Sequence, residues 1–111
     1  MGAKERNKGA NGEREVCALL KSFTGSPFAR NLDQTREGGG DVVFGPLLLE
    51  VKRQERLKMP EWQAQAVVSA QNAKLLPAVV WRRSREEWWV AMPLVQYLAL
   101  HHAPEVSSES H

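Results

Sequence analysis

The chain has one cysteine, Cys17. It can form no disulfide within itself, and a zinc site built on cysteines is excluded. No run approaches the roughly 18 apolar residues of a membrane span. The stretch from Met1 to Arg14 is polar and charged, without the apolar core of a secretory signal. A cytoplasmic protein with no membrane attachment is therefore expected. Gly38-Gly39-Gly40 lacks the Lys-Ser/Thr pair of a phosphate-binding P-loop. No internal repeat or interdomain linker is visible. Charge of one sign is scarce as well: 15 Lys and Arg stand against 13 Asp and Glu, a formal +2. His101, His102 and His111 have no partner at ligand spacing, so they read as surface residues.

What is present suits one compact domain. The chain has 111 residues, 42% of them hydrophobic, enough for a single core. A domain of that size cannot easily build a large cleft, and a homodimer would enlarge the working surface. The cations are grouped rather than scattered. Lys52, Arg53, Arg56 and Lys58 make one cluster, and Arg82, Arg83 and Arg85 a second. Such clusters neutralise phosphates, or else they are solvated loops.

Hydrophobic spacing predicts a helix over Lys8–Phe23, with Val16, Leu19, Leu20 and Phe23 on one stripe. Asn7 or Asn11 would cap it and Gly25 would end it. Pro27–Leu32 reads as a short strand, and Asp33–Gly40 as a flexible loop. Asp41–Phe44 and Leu47–Lys52 read as strands joined at Gly45-Pro46, covered on both faces. A helix over Pro60–Lys74, strands over Ala78–Arg82 and Trp88–Met92, and a short helix from Pro93 follow. Trp62, Trp81, Trp88 and Trp89 could stack on bases, yet they fall inside these elements, which favours core or dimer packing for most of them. Cys17 falls on the apolar side of the first helix and reads as inert. The order helix, three strands, helix, two strands, helix predicts an α/β domain with one central sheet between helices.

The segment Asp41–Lys52 carries the chemistry. A two-residue loop at Gly45-Pro46 pairs Phe44 with Leu47, Val43 with Leu48, Val42 with Leu49, and Asp41 with Glu50. Directly opposite residues have Cβ atoms about 5 Å apart. Two carboxylates so placed in oily strands repel, and Lys52 offsets only part of that. A divalent cation removes the penalty, and oxygen ligands suit Mg²⁺ or Mn²⁺. Glu13 borders the apolar stripe of the first helix, as a helix-end charge or as a third site residue. Metal-assisted phosphodiester hydrolysis fits this set, with Lys52 positioning water or stabilising charge.

Asp41 followed by Glu50-Val51-Lys52 on the next strand resembles the PD-(D/E)xK nuclease superfamily, although Gly40 stands where that motif has proline. Lys8-Gly9-Ala10-Asn11-Gly12-Glu13-Arg14-Glu15 is similar to the opening helix of archaeal-type Holliday junction resolvases and their phage relatives. The resemblance spans about Lys8 to Tyr97. It implies a restriction-endonuclease-like fold in αβββαββα order, with a mixed sheet. It implies catalytic Glu13, Asp41, Glu50 and Lys52, and a metal held by Asp41, Glu50, Glu13 and the Val51 carbonyl. It makes Arg30 a basic residue ahead of the aspartate, and gives Gln63 or Gln65 a place at the site or the phosphate, where a plain helix surface is the other reading. The loop serine common in those relatives is missing here, with Thr35 in that region.

The expectation is thus a Mg²⁺-dependent homodimeric endonuclease acting on branched DNA such as four-way junctions, serving recombination or repair. Arg30, Arg53, Arg56, Lys58 and Gln63 are the expected DNA contacts. The nuclease domain would span residues 8–102, between a flexible start (1–7) and a flexible tail (103–111). The alternatives are a general or end-directed repair, replication or packaging nuclease, and a DNA-binding module of the same fold without turnover.

Overall fold

The structure, a computed structural model, describes residues 2–26, 30–36 and 39–108, with side chains described for residues 11–26 and 41–102. The elements are α1 (Gly2–Thr24), β1 (Arg30–Arg36), β2 (Gly39–Phe44), β3 (Leu47–Arg53), α2 (Met59–Ala73), β4 (Leu76–Arg82), β5 (Trp89–Ala91) and α3 (Leu94–Ser108). The five strands form one sheet in the order β1-β2-β3-β4-β5. Only β3 and β4 run parallel; the other neighbours are antiparallel. A parallel pair cannot be closed by a hairpin, and α2 supplies the crossover. This is the expected restriction-endonuclease-like α/β fold, with a mixed sheet between helices.

The hairpin register follows the sequence reading at every pair from Phe44↔Leu47 to Asp41↔Glu50. Gly45 takes φ +58 at the turn. Pro46 cannot take positive φ, so only the first central residue is left-handed, the pattern of a type II′ hairpin turn. The Pro46 carbonyl then accepts a 2.8 Å hydrogen bond from the Leu76 N–H, which ties the turn to the start of β4.

Alternation along the strands separates two layers. Val42, Leu47, Leu49, Val51, Ala78 and Val80 form a core with Val16 of α1, and Leu100 of α3 packs on it. Val79 faces the other way and packs with Trp62 and Ala66 of α2. Helices α1 and α3 thus cover one face of the sheet, and α2 the other. Strand β3, in the middle, is buried along almost its whole length.

Several boundaries differ from the sequence reading. Helix α1 starts at Gly2 rather than Lys8, so Asn11 lies inside it and caps nothing; its Oδ1 accepts a hydrogen bond from Arg14 Nη1 at 3.0 Å. Asn7 as a cap, Pro27 as the start of a strand, and the Gly38 end of the loop fall outside the residues whose placement or side chains are described. The polar stretch expected as a loop is mostly strand. Its residues 33–36 belong to β1, and Gly39 and Gly40 pair with Lys52 and Val51. Backbone pairing to a well-formed β3 offsets the weak strand preference of glycine. Strand β2 is not covered on both faces, because Val43 is 44% exposed. Helix α3 continues to Ser108, through residues expected as tail.

Candidate active site

Asp41 and Glu50 sit opposite each other on β2 and β3, and Lys52 follows two residues on, on the same face. Their relative exposures are 0%, 1% and 2%, in a sheet whose interior is otherwise apolar. Lys52 Nζ lies 3.4 Å from Glu50 Oε2. With all three ionised the set carries one net negative charge. Directly opposed residues have Cβ atoms about 5 Å apart, and two ionised carboxylates so placed repel. One ammonium offsets part of that.

The donor set fits a hard cation. Carboxylate oxygens are the ligands Mg²⁺ and Mn²⁺ prefer, and Mg²⁺ commonly takes one or two carboxylates and fills its other positions with water and substrate phosphate. Asp41 Oδ2 and Glu50 Oε2 are buried oxygens that accept no hydrogen bond, while both residues have other interactions. Among the described residues, no group of three or more His, Cys, Asp or Glu is arranged to hold a metal ion together. Asp41 and Glu50 are the two expected ligands that the strand register sets opposite each other.

Glu13 is 1% exposed on α1. Its neighbours on that helix, Gly12 and Val16, face Val51 and the Val42 core, the sheet face away from Asp41 and Glu50. The strand register brings Asp41, Glu50 and Lys52 onto one face, and Glu13 is buried on α1. Val51 lies between Gly40 and Val80 in the two ladders, its side chain in the core.

The basic residues divide sharply. Arg53 Nε is 3.7 Å from Glu15 Oε2, so this expected phosphate contact is tied to α1. Arg82 reaches the same carboxylate with two hydrogen bonds, Nε to Oε1 at 2.9 Å and Nη2 to Oε2 at 3.1 Å. Arg83 pairs with Glu86 at 3.0 Å. Arg56, Lys58 and Arg85 are exposed and form no ion pair with a described residue. Arg30 opens β1 opposite Val42, and its side chain lies outside the described residues. Gln63 lines a mostly apolar groove between α2, β4 and β5 with Ala66, Val79 and Met92, while Gln65 is exposed.

Three features escaped the sequence reading. Gly12 is buried where α1 meets β3: a Cβ there would stand 3.1 Å from Arg53 Cβ and 3.4 Å from the Trp88 ring. A glycine inside a helix was the available signal, since it costs about 1 kcal/mol relative to alanine without a packing reason. Glu15 joins Arg53 and Arg82, a contact no local pattern announces. Glu55 accepts hydrogen bonds from the Ser84 N–H and hydroxyl, which fixes the β3–α2 loop to the β4–β5 turn.

Among the described residues, no helix is long and apolar enough to cross a membrane. The model of the family "Phage putative PDDEXK endonuclease" matches residues 4–110. No curated protein and no solved structure gives a significant match.

Proposed function

The chain belongs to this PDDEXK endonuclease family, and from that premise we propose that it hydrolyses DNA phosphodiester bonds with a divalent cation held by Asp41 and Glu50. One observation carries the proposal: two carboxylates in register, buried in an oily sheet, with Lys52 Nζ 3.4 Å from one of them. A bound Mg²⁺ or Mn²⁺ would supply Lewis acidity toward the phosphate and a water of lowered pKa. Asp41 and Glu50 would hold the ion. Lys52 contributes a positive charge that stabilises the negative charge developing on the phosphate oxygens, and it orients the attacking water. Arg56 and Lys58, exposed just beyond β3, suit phosphate contacts along the strand.

The finer reading is a homodimer that cuts branched DNA such as four-way junctions. Two things support it. Helix α1 carries the Glu13-Arg14-Glu15 segment of the resolvase-like opening. Helix α3 exposes Leu94, Val95, Tyr97 and Leu98, an apolar stripe suited to a second copy.

The test is a panel of labelled junction, flap, duplex and single-stranded DNA with Mg²⁺ or Mn²⁺. Cleavage should vanish in Asp41→Asn and fall by a factor of roughly 10² or more in Lys52→Ala, with DNA binding retained. Binding without any metal-dependent cut in the wild-type chain would make it a DNA-binding module instead. Equal cutting of every substrate would make it a general nuclease.

A further inference from the structure

We propose that Trp89, stacked on Trp81 at the edge of the sheet, is a platform for an unpaired nucleobase of the DNA strand being cut. The proposal rests on the nuclease reading of Asp41, Glu50 and Lys52 and names the feature of the substrate that this site selects.

The sheet register places the platform. Lys52 pairs with Trp81, and Trp81 with Trp89, so the three form one row across β3, β4 and β5. Residues in register point to the same face, here the face of Asp41 and Glu50. Two strand spacings, about 10 Å, separate the Lys52 and Trp89 backbones. The two indole rings stack with centroids 6.4 Å apart and planes 26° from parallel. Trp81 is held against the buried cluster of Trp62, Ala66 and Val79, so the inner ring is a fixed backing. Trp89 is 55% exposed on β5, the last strand of the sheet.

Single exposed aliphatic residues are ordinary on a protein surface. A half-exposed tryptophan backed by a second ring is a built stacking surface. The cations on the neighbouring loop and turn indicate what covers it. Arg56 and Lys58 lie in the loop after β3, and Arg85 lies in the turn before β5; all three are exposed. The Glu55–Ser84 hydrogen bonds clamp that loop and turn together, so the two segments that carry these cations adjoin. Aromatic rings beside unpaired cations are the usual equipment for holding a single strand, with phosphates on the charges and a base on the ring. A base inside a duplex has both faces covered by its neighbours, so only an unpaired, terminal or extruded base can lie on Trp89. The substrate class is therefore DNA with an unpaired base close to the cut: a branch point, flap, gap or single-stranded end.

The test measures binding of the full chain without divalent metal, so that cleavage does not interfere. Trp89→Ala should weaken binding to single-stranded and flap oligonucleotides by about 5- to 160-fold, the range for loss of one base–aromatic stack. Blunt-duplex affinity should change little. Trp89→Phe should keep most of the affinity, and it serves as the readout should the alanine variant fail to fold. Replacing bases near the branch with abasic sites should erase the difference between wild type and Trp89→Ala. Equal loss on all DNA forms, or no loss, overturns the proposal. A change in sedimentation with DNA affinity unchanged also overturns it and assigns Trp89 to a protein interface. The two readings fail separately. A binding difference without any metal-dependent cleavage keeps the platform and removes the catalytic reading. Cleavage without a binding difference does the reverse.

Discussion

Replacing Gly12 with alanine sets two known effects against each other, and the fold decides their sign. In an open helix position the change should stabilise by about 1 kcal/mol, because alanine is the better helix former. Here the new Cβ would meet Arg53 Cβ at 3.1 Å, the Trp88 ring at 3.4 Å and Val51 Cγ1 at 3.6 Å. The first atom belongs to a strand paired to its neighbour at that point, Arg53↔Arg82, and cannot easily withdraw. Overpacking of this kind costs about 1–3 kcal/mol. The net expectation is a loss of roughly 0–2 kcal/mol, centred near 1. With an unfolding entropy of about 2.1 cal/mol/K per residue, a chain of 111 residues loses about 4 °C of Tm for each kcal/mol. The assay is thermal unfolding of Gly12→Ala beside Ala18→Gly, an exchange at an exposed position of the same helix that calibrates the propensity term. A Tm fall near 4 °C supports the close approach of α1 to β3. A rise of similar size would refute it, and with it the placement of α1 against Val51.

Metal binding should appear in stability as well as in cleavage. At a hundred times its Kd, Mg²⁺ bound only to the folded chain stabilises by about 2.7 kcal/mol, which by the same entropy raises Tm by roughly 10 °C. Asp41→Asn should lose that shift, and a retained shift would place the ion elsewhere. Arg56→Ala and Lys58→Ala should each lower the salt dependence of DNA binding by about one unit of log–log slope, read from affinities over a range of salt. An unchanged slope would remove them from the phosphate path. Glu15→Gln weakens the contacts to Arg53 and Arg82, but the carboxylate is 38% exposed, so the loss in chemical denaturation should stay near 1 kcal/mol. A loss above about 3 kcal/mol would mean that the pair is far less solvated than its exposure indicates. Gly45→Ala meets no atom within 4 Å and is opposed only by φ +58, so it should cost about 1–2 kcal/mol through the backbone alone.

Legibility was greatest where a local rule fixed the geometry. Gly45-Pro46 allows only a short turn, and a two-residue loop leaves one register; Asp41 opposite Glu50 followed from that. It was least where pairing partners are distant. The segment before Asp41 is polar and glycine-rich, which reads as loop, yet its residues 33–36 and 39–40 lie in strands because β3 extends far enough to pair with Gly39 and Gly40. Arg53 looked like Arg56 in the sequence, but Glu15 of α1 holds one and leaves the other exposed. The four tryptophans looked alike as well. Trp62 is buried in the core and Trp89 is half exposed, because β5 is the edge strand and α2 covers the middle of the sheet.

Sequence alone determined the order of the elements, the hairpin register and the identity of the acid–acid–lysine set. These depend on periodicity and turn chemistry, which act between residues close in the chain. Tertiary structure decided which sheet face each charge occupies. It buried Glu13 on α1, took Arg53 and Arg82 into a network, and put Trp89 in line with Lys52. Those outcomes depend on how helices and strands far apart in the chain stack, and free energies of contact between distant segments leave no mark in local sequence pattern.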